Sequence, residues 1–368
     1  MNIRQCIGLI ILLACLPFAR AAEIRIRIQN PPESGSMVFM LYDSPNAFGD
    51  LRDPALTVTA EPDGRNIWSI TNVPPGEYAL IAYHDENGNG RIDRNFIGIP
   101  REPLGFANNY KPKGPPGYAR ASFALSNDGM RQFDVELSRP LGPRGRIGAG
   151  LGLIWRSSPY RDYDGGVYRF IPAITYTGDR FQWFGPRVQY GLAGSGKVRL
   201  AATGEYRIGV YEEDGSDYLT GMGDAESTFM AGLALQAELP GGIDVSLEGS
   251  SDVLNRIGGR EASITLDKSA QFGILRLTPY LAVNWMDKKM AANDYGVPVG
   301  KATSDRAAYS PSGSYSAEGG ISLFIEITTD WLVVGSAGVE RLDHQATDSP
   351  IIDKQHVFKG FAAINYAF

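Results

Sequence analysis

Past residue 21 the chain has no cysteine, because both of its cysteines, Cys6 and Cys15, lie before that point. The remainder can form no disulfide, no thiolate metal site and no thiol nucleophile. After the opening segment there is also no apolar run near the ~20 residues a membrane-spanning helix needs. Basic charge is in short supply. Lys and Arg number 35 against 41 Asp and Glu, and the net charge of −6 speaks against nucleic acid as a partner.

The opening segment explains the first two absences. MNIR is a basic start, Gln5 to Phe18 is apolar, and Ala19-Arg20-Ala21 is a small-x-small cleavage site. Residues 1–21 therefore read as a signal peptide. Leu12-Leu13-Ala14-Cys15 faintly resembles a lipoprotein box, but Leu13 suits it poorly. An exported chain with no second hydrophobic run is periplasmic, secreted or a β-barrel.

What is present decides among these. In the last stretch, His356 to Phe368, every second residue back from the end is Phe368, Tyr366, Ile364, Ala362, Gly360 and Phe358. The other face holds Val357, Lys359, Phe361, Ala363 and Asn365. One apolar face and one mixed face suit a strand between lipid and a lumen. The terminal Phe368 with Tyr366 and Ile364 resembles the signature read by the outer-membrane barrel assembly machinery.

The same period recurs from Arg146 onward. Apolar rows include Ile147 to Trp155, Phe170 to Tyr176, Val198 to Ile208, Phe229 to Leu239, Leu275 to Trp285, Tyr315 to Ile327 and Trp331 to Val339. The opposite faces carry Arg199, Arg207, Arg276, Glu318, Glu326 and Lys359 among other charges. Ionised groups are almost never fully buried in a soluble core, so these point to a wet lumen. Tight turns such as Pro240-Gly241-Gly242 and Thr328 to Asp330 alternate with long polar segments such as 212–226, 287–314 and 343–355. Short turns face the periplasm and long loops the exterior in such barrels. Ten strands are clear. Residues 180–192 make twelve if they form a hairpin broken at Gly185-Pro186, and leave ten if they turn inward; twelve is preferred. The expected fold is thus all-β: an antiparallel transmembrane barrel over 146–368 with an N-terminal periplasmic β-sandwich.

Residues 22–138 supply that sandwich. Alternating stretches such as Glu23 to Ile28 and Gln132 to Leu137 are punctuated by Pro-Gly turns, and no helix pattern is convincing. The Pro-rich residues 139–145 form a linker. One loop invites a metal: Asp85, Asn87 and Asn89 alternate, Gly90 follows, and Asp93 closes the run. This matches the first part of a calcium loop, whose oxygens converge on a hard cation. Phe96 stands where the bidentate Glu belongs, so a weak calcium site competes with a loop held by its own Asx turns. Calcium is the only cofactor the sequence suggests. The run His84 to Asp93, Asn95 to Pro100 and Gly105 to Asn109 resembles an uncharacterised exported family, domain of unknown function 2141, which implies a transthyretin-like sandwich without an established activity.

Other motifs carry less. Gly191 to Lys197 fits G-x-x-x-x-G-K, but Val198 replaces the Ser or Thr that holds Mg²⁺, and a strand follows, so a glycine turn is expected. His344, Ser349 and His356 come with no plausible orienting acid, and His84 reads as a strand-end histidine. No enzyme is expected.

Asp217 to Met222, Glu238 to Gly242, Asp294 to Val297, Trp331, Arg341-Leu342, Ser349 to Ile352 and Tyr366 to Phe368 resemble the MipA/OmpV family of outer-membrane proteins. The resemblance covers residues 146–368. It implies a barrel in outer-membrane lipid and a scaffold role beside a lytic transglycosylase or murein synthase; other members are linked to adhesion. The expected function is a non-enzymatic scaffold, with a surface adhesin or a small-solute pore as alternatives.

Overall fold

The computed structural model describes residues 22–62, 64–127, 129–163, 165–194 and 196–368. The expected signal peptide, 1–21, lies outside the described residues. The N-terminal part has eight strands: β1 (Ala22–Ile28), β2 (Ser36–Tyr42), β3 (Leu56–Ala60), β4 (Ile67–Val73), β5 (Gly76–Asp85), β6 (Leu104–Phe106), β7 (Ser122–Leu125) and β8 (Met130–Val135). One sheet is β4-β1-β8. The other is β3-β2-β5-β6, with β7 paired to β5. The alternation in β1 sets which side is dry. Ile24, Ile26 and Ile28 pack on Phe39, Leu41, Leu80 and Ala82 of the facing sheet.

The other face of the second sheet, with Val38, Met40 and Tyr83, is covered by Phe48 and Tyr118. These belong to two short helices, α1 (Pro45–Asp50) and α2 (Tyr118–Ala121). The sequence shows no helix there because six and four residues are too few for a 3.6-residue period to register. The last strand runs Met130–Val135 rather than 132–137, although Leu137 still joins the core.

Fourteen strand segments follow: β9 (Arg146–Ser157), β10 (Gly166–Pro172), β11 (Thr175–Thr177), β12 (Phe181–Phe184), β13 (Arg187–Ala193), β14 (Val198–Arg207), β15 (Thr228–Leu239), β16 (Ile243–Asp252), β17 (Arg260–Asp267), β18 (Ala270–Phe272), β19 (Leu275–Asp287), β20 (Gly313–Glu326), β21 (Trp331–Leu342) and β22 (His356–Ala367). β10 and β11 both pair with β9 and are one strand interrupted after Pro172, which has no N–H to give a ladder. At the break Ala173 N donates to Gly150 O, and Asn365 Nδ2 donates to Ala173 O from the lumen side at 2.6 Å. Among the described residues β18 pairs only with β19 and extends a turn. Twelve antiparallel barrel strands result, and β22 pairs back with β9 to close the ring. Residues 180–192 form the β12–β13 hairpin. Its tip is Gly185-Pro186, with Gly185 at φ 55, a left-handed backbone that glycine adopts without strain.

The two ends of the barrel differ. At one end the strands are joined by tight turns around 178–180, 194–197, 240–242, 268–274 and 327–330. The longer connections at the other end do not stand as separate polar loops. They fold into a cap in which Tyr160, Leu219, Tyr295, Leu342, Ile351 and Val357 are buried together. Two helices support it. Asp287 caps α3 (Lys288–Tyr295), its Oδ1 accepting from Met290 N at 3.0 Å, and Asp343 likewise caps α4 (His344–Thr347). Four connections and their flanks contribute these apolar residues with no shared period, so their common core is invisible in any one of them.

Candidate functional site in the barrel lumen

The strand register puts alternate side chains inside, and there the charges are paired in layers. At mid-barrel Lys359 Nζ lies 2.9 Å from Glu318 and 2.9 Å from Glu340, and Tyr280 donates to Glu318 at 2.8 Å. Arg156 approaches Glu340 at 3.6 Å. Across the lumen Arg187 bridges Glu205 at 2.9 Å and Glu248 at 2.5 Å. Nearer the cap Arg207 holds Glu261 at 2.7 Å and Asp294 at 2.6 Å. Asp294 belongs to α3, so this pair ties the cap to the wall. Together these charged groups line a cavity of about 320 Å³.

The turn end is occupied by the N-terminal part. Asp50 pairs with Arg276 at 2.5 Å, Arg52 with Glu238 at 3.0 Å and Lys113 with Asp330 at 2.8 Å. Lys113 also donates to Ala367 O at 2.7 Å, and Arg101 pairs with Asp179 at 2.7 Å. Tyr110 donates to Glu326 Oε2 at 2.6 Å within a buried contact. Burial, then the carboxylate beside it, pushes the Tyr110 hydroxyl far above its ordinary pKa. Gly114 sits so close to Phe324 that a Cβ there would overlap the ring. Arg199 lies under the Gly98 turn. Of the lumen residues named from the sequence, Arg207 and Lys359 thus serve the ion-pair layers with Glu318. Glu326, Arg276 and Arg199 meet the N-terminal part. Nothing in a strand pattern distinguishes these two uses.

The loop at Asp85 is held by its own atoms. Asp85 accepts from Asn89 N at 3.1 Å and Gly90 N at 2.7 Å, and Asn87 Oδ1 accepts from Asn89 N at 3.1 Å. Asn87 and Asn89 turn their amide nitrogens, not oxygens, toward Asp93, at 2.7 and 3.1 Å. Glu102 completes the loop by accepting from Glu86 N and Asp93 N, and burial raises its pKa. These bonds hold the loop through its own Asx turns, the alternative to a weak calcium site. His84 binds Ser34 O at 2.7 Å. Ser349 donates its hydroxyl to Tyr295 O at 2.6 Å, a cap contact rather than a serine–histidine pair. Within Gly191 to Lys197, Gly194, Gly196 and Lys197 fall between β13 and β14, and Ser195 lies outside the described residues. Ile364, Tyr366 and Phe368 lie on the lipid face, where the rings of Trp331, Tyr366 and Phe368 stack edge-on at 5.2 and 5.1 Å.

Residues 148–368 match the family described as MltA-interacting protein MipA. The chain belongs to this family. Residues 26–132 match a second, described as an uncharacterized protein conserved in bacteria. The MltA-interacting protein of Escherichia coli is 31% identical over 232 residues, covering 60% of this chain and 89% of that protein. The outer membrane protein Omp26La of Vibrio anguillarum is 26% identical over 158 residues, 43% of this chain and 61% of its own. Among solved structures, the NanC porin aligns over 59% of this chain and 98% of its own, at 8% identity and a TM-score of 0.30. The chain is an outer-membrane β-barrel. Four of the stretches that carry the family resemblance, at 217–222, 294–297, 341–342 and 349–352, converge in the structure. Leu219, Met222, Tyr295, Val297, Leu342, Ile351 and Ile352 all belong to the cap, and Asp294 to its tie.

Proposed function

We propose that this protein is a non-enzymatic outer-membrane scaffold whose N-terminal part, residues 22–138, hangs on the periplasmic mouth and presents a surface to a murein-processing partner. The observation that carries this reading is where that part docks. Its ion pairs and buried Tyr110–Glu326 bond fall on the tight-turn end of the barrel, the end that faces the periplasm in such barrels. The relative named for its interaction with MltA supports a partner of the lytic transglycosylase class. The cap packed at one end and the N-terminal part docked at the other favour an anchor over an open pore.

A cysteine placed at Ser126 in a cysteine-free mature chain should resist an impermeant thiol reagent on intact cells, while one at exposed Ser304 reacts. Labelling at both positions would put the N-terminal part outside and end the scaffold reading. Cross-linking from Ser126 in whole cells should then capture an envelope enzyme acting on murein.

A further inference from the structure

The barrel wall is incomplete in one place. β12 has four residues, and the β12–β13 hairpin stops at Gly185-Pro186. The tip is tied to its neighbours by Gly185 N to Ile174 O at 3.3 Å and Tyr206 N to Pro186 O at 3.0 Å. Beyond it β10 continues toward the capped end through Gly166–Pro172, about 23 Å of strand. Over that length β10 is hydrogen-bonded to β9 alone among the described residues. Its other backbone edge faces a notch bounded by the end of β14 and the segment after it. One side-chain pair spans the notch among the described residues, Arg169 Nη2 to Glu212 Oε1 at 2.5 Å. Closed barrels remove edges, and an unpaired edge against hydrocarbon is costly. A gap kept at this cost needs a use.

Behind the notch the lumen changes character. Ile171 of β10, Phe184 at the hairpin tip and Phe361 and Ala363 of β22 point inward, whereas the cavity beside them is lined mostly by charged and polar side chains. A methyl on Gly152 would meet Ile171, Ala363 and Phe361 at 3.2–3.4 Å. The Phe184 and Phe361 rings sit edge-on at 5.8 Å. Arg187, next to the tip, stands between this apolar wall and the cavity, held by Glu205 and Glu248. In the cavity lining six carboxylates face four cations. An added cation would be attracted there and an added anion repelled, and low-dielectric walls strengthen both effects.

We propose that the notch is a lateral doorway through which a cationic amphiphile in the leaflet nearest the cap enters the lumen. Its alkyl chain lies on Ile171, Phe184 and Phe361, and its head reaches the carboxylate-rich cavity by competing with Arg187 for Glu248. The Arg169–Glu212 pair is the latch.

The test uses the full mature chain in lipid nanodiscs and two diazirine-bearing dodecyl amphiphiles, one with a trimethylammonium head and one with a sulfonate head. After photolysis the labelled residues are mapped by mass spectrometry. The ammonium probe should label the inward residues Phe184 and Phe361 several-fold more than the sulfonate probe does. Bridging Arg169→Cys and Glu212→Cys with a flexible bis-thiosulfonate linker should abolish that labelling, and reduction should restore it. If the linker does not form, Phe361→Ser in a barrel that stays heat-modifiable should lower Phe184 labelling by the ammonium probe. Labelling confined to outward residues such as Phe170 and Phe358, equal labelling by both probes, or labelling that survives the linker would each overturn the proposal.

Discussion

Replacing Asp294 by Ala should loosen the cap far more than replacing Glu261 by Ala, although both carboxylates hold the same guanidinium. Arg207 sits 2.6 Å from Asp294 and 2.7 Å from Glu261, so distance does not separate them. Burial does. The Asp294 side chain is 2% exposed and that of Glu261 29%, with Arg207 at 14%. Breaking a buried pair costs about 3–5 kcal/mol because the remaining charge is left in a poor environment. Glu261 still faces Arg207 after Asp294→Ala, so the lower end, about 3 kcal/mol, is expected. Glu261 keeps more water contact than Asp294 and its loss leaves Arg207 paired with Asp294, so about 1 kcal/mol is expected for Glu261→Ala. The difference of about 2 kcal/mol is a factor of roughly 30 in an equilibrium. Hydrogen exchange of α3 amides in the bilayer-embedded protein reads it directly, because Asp294 lies on that helix. Exchange should accelerate strongly in Asp294→Ala, modestly in Glu261→Ala and to an intermediate degree in Asp294→Asn. Equal acceleration in the two alanine variants would refute burial as the deciding quantity.

Leu323→Arg places a charge on the lipid face and should cost about 2–4 kcal/mol near the bilayer midplane, while Ser322→Arg, facing the lumen, costs much less; equal effects on folding into vesicles would mean the assigned faces are reversed. Millimolar calcium should leave the melting temperature of the N-terminal part unchanged in the full chain, because backbone and amide donors already occupy the Asp85 and Asp93 oxygens; a calcium-dependent rise that Asp85→Ala removes would show that the loop reorganises around the ion. Deleting Phe368 removes the end of the Trp331–Tyr366–Phe368 ring series and should slow insertion, seen as less heat-modifiable barrel in outer-membrane fractions; normal levels would contradict an assembly role.

The barrel was readable because its physics repeats. A strand between lipid and water must alternate, and every row from Ile147 to Tyr366 does so. The hairpin at Gly185-Pro186 was readable as a turn, but not its shortness. Four residues in β12 leave a notch only because β10 runs on beside them, and relative strand length is a tertiary property. The cap was hidden for a related reason: residues such as Tyr160, Leu219 and Ile351 are isolated apolar positions within polar stretches, and no local period ties them together. Arg276 and Glu326 were legible as lumen charges. That their partners, Asp50 and Tyr110, come from more than 200 residues away was not.

The two closures are built from different interactions, and this sets which yields first. At the turn end the charged seam pairs keep water contact. Arg276 and Asp50 are 17% and 19% exposed, and Lys113 and Asp330 are 25% and 41%. A pair as wet as Lys113–Asp330 contributes about 0–1 kcal/mol and weakens further with salt, while the more enclosed Arg276–Asp50 pair is screened less. The buried Tyr110–Glu326 bond is the exception; a hydrogen bond to a charged group is worth about 1.5–3 kcal/mol. At the other end the cap buries a cluster of large apolar side chains, each worth about 1.5–3 kcal/mol when fully buried, and salt does not screen that. Raised ionic strength therefore acts on the seam and spares the cap. Salt should therefore release the N-terminal part before it opens the cap, and the proposed presentation of that part to a partner would use this difference.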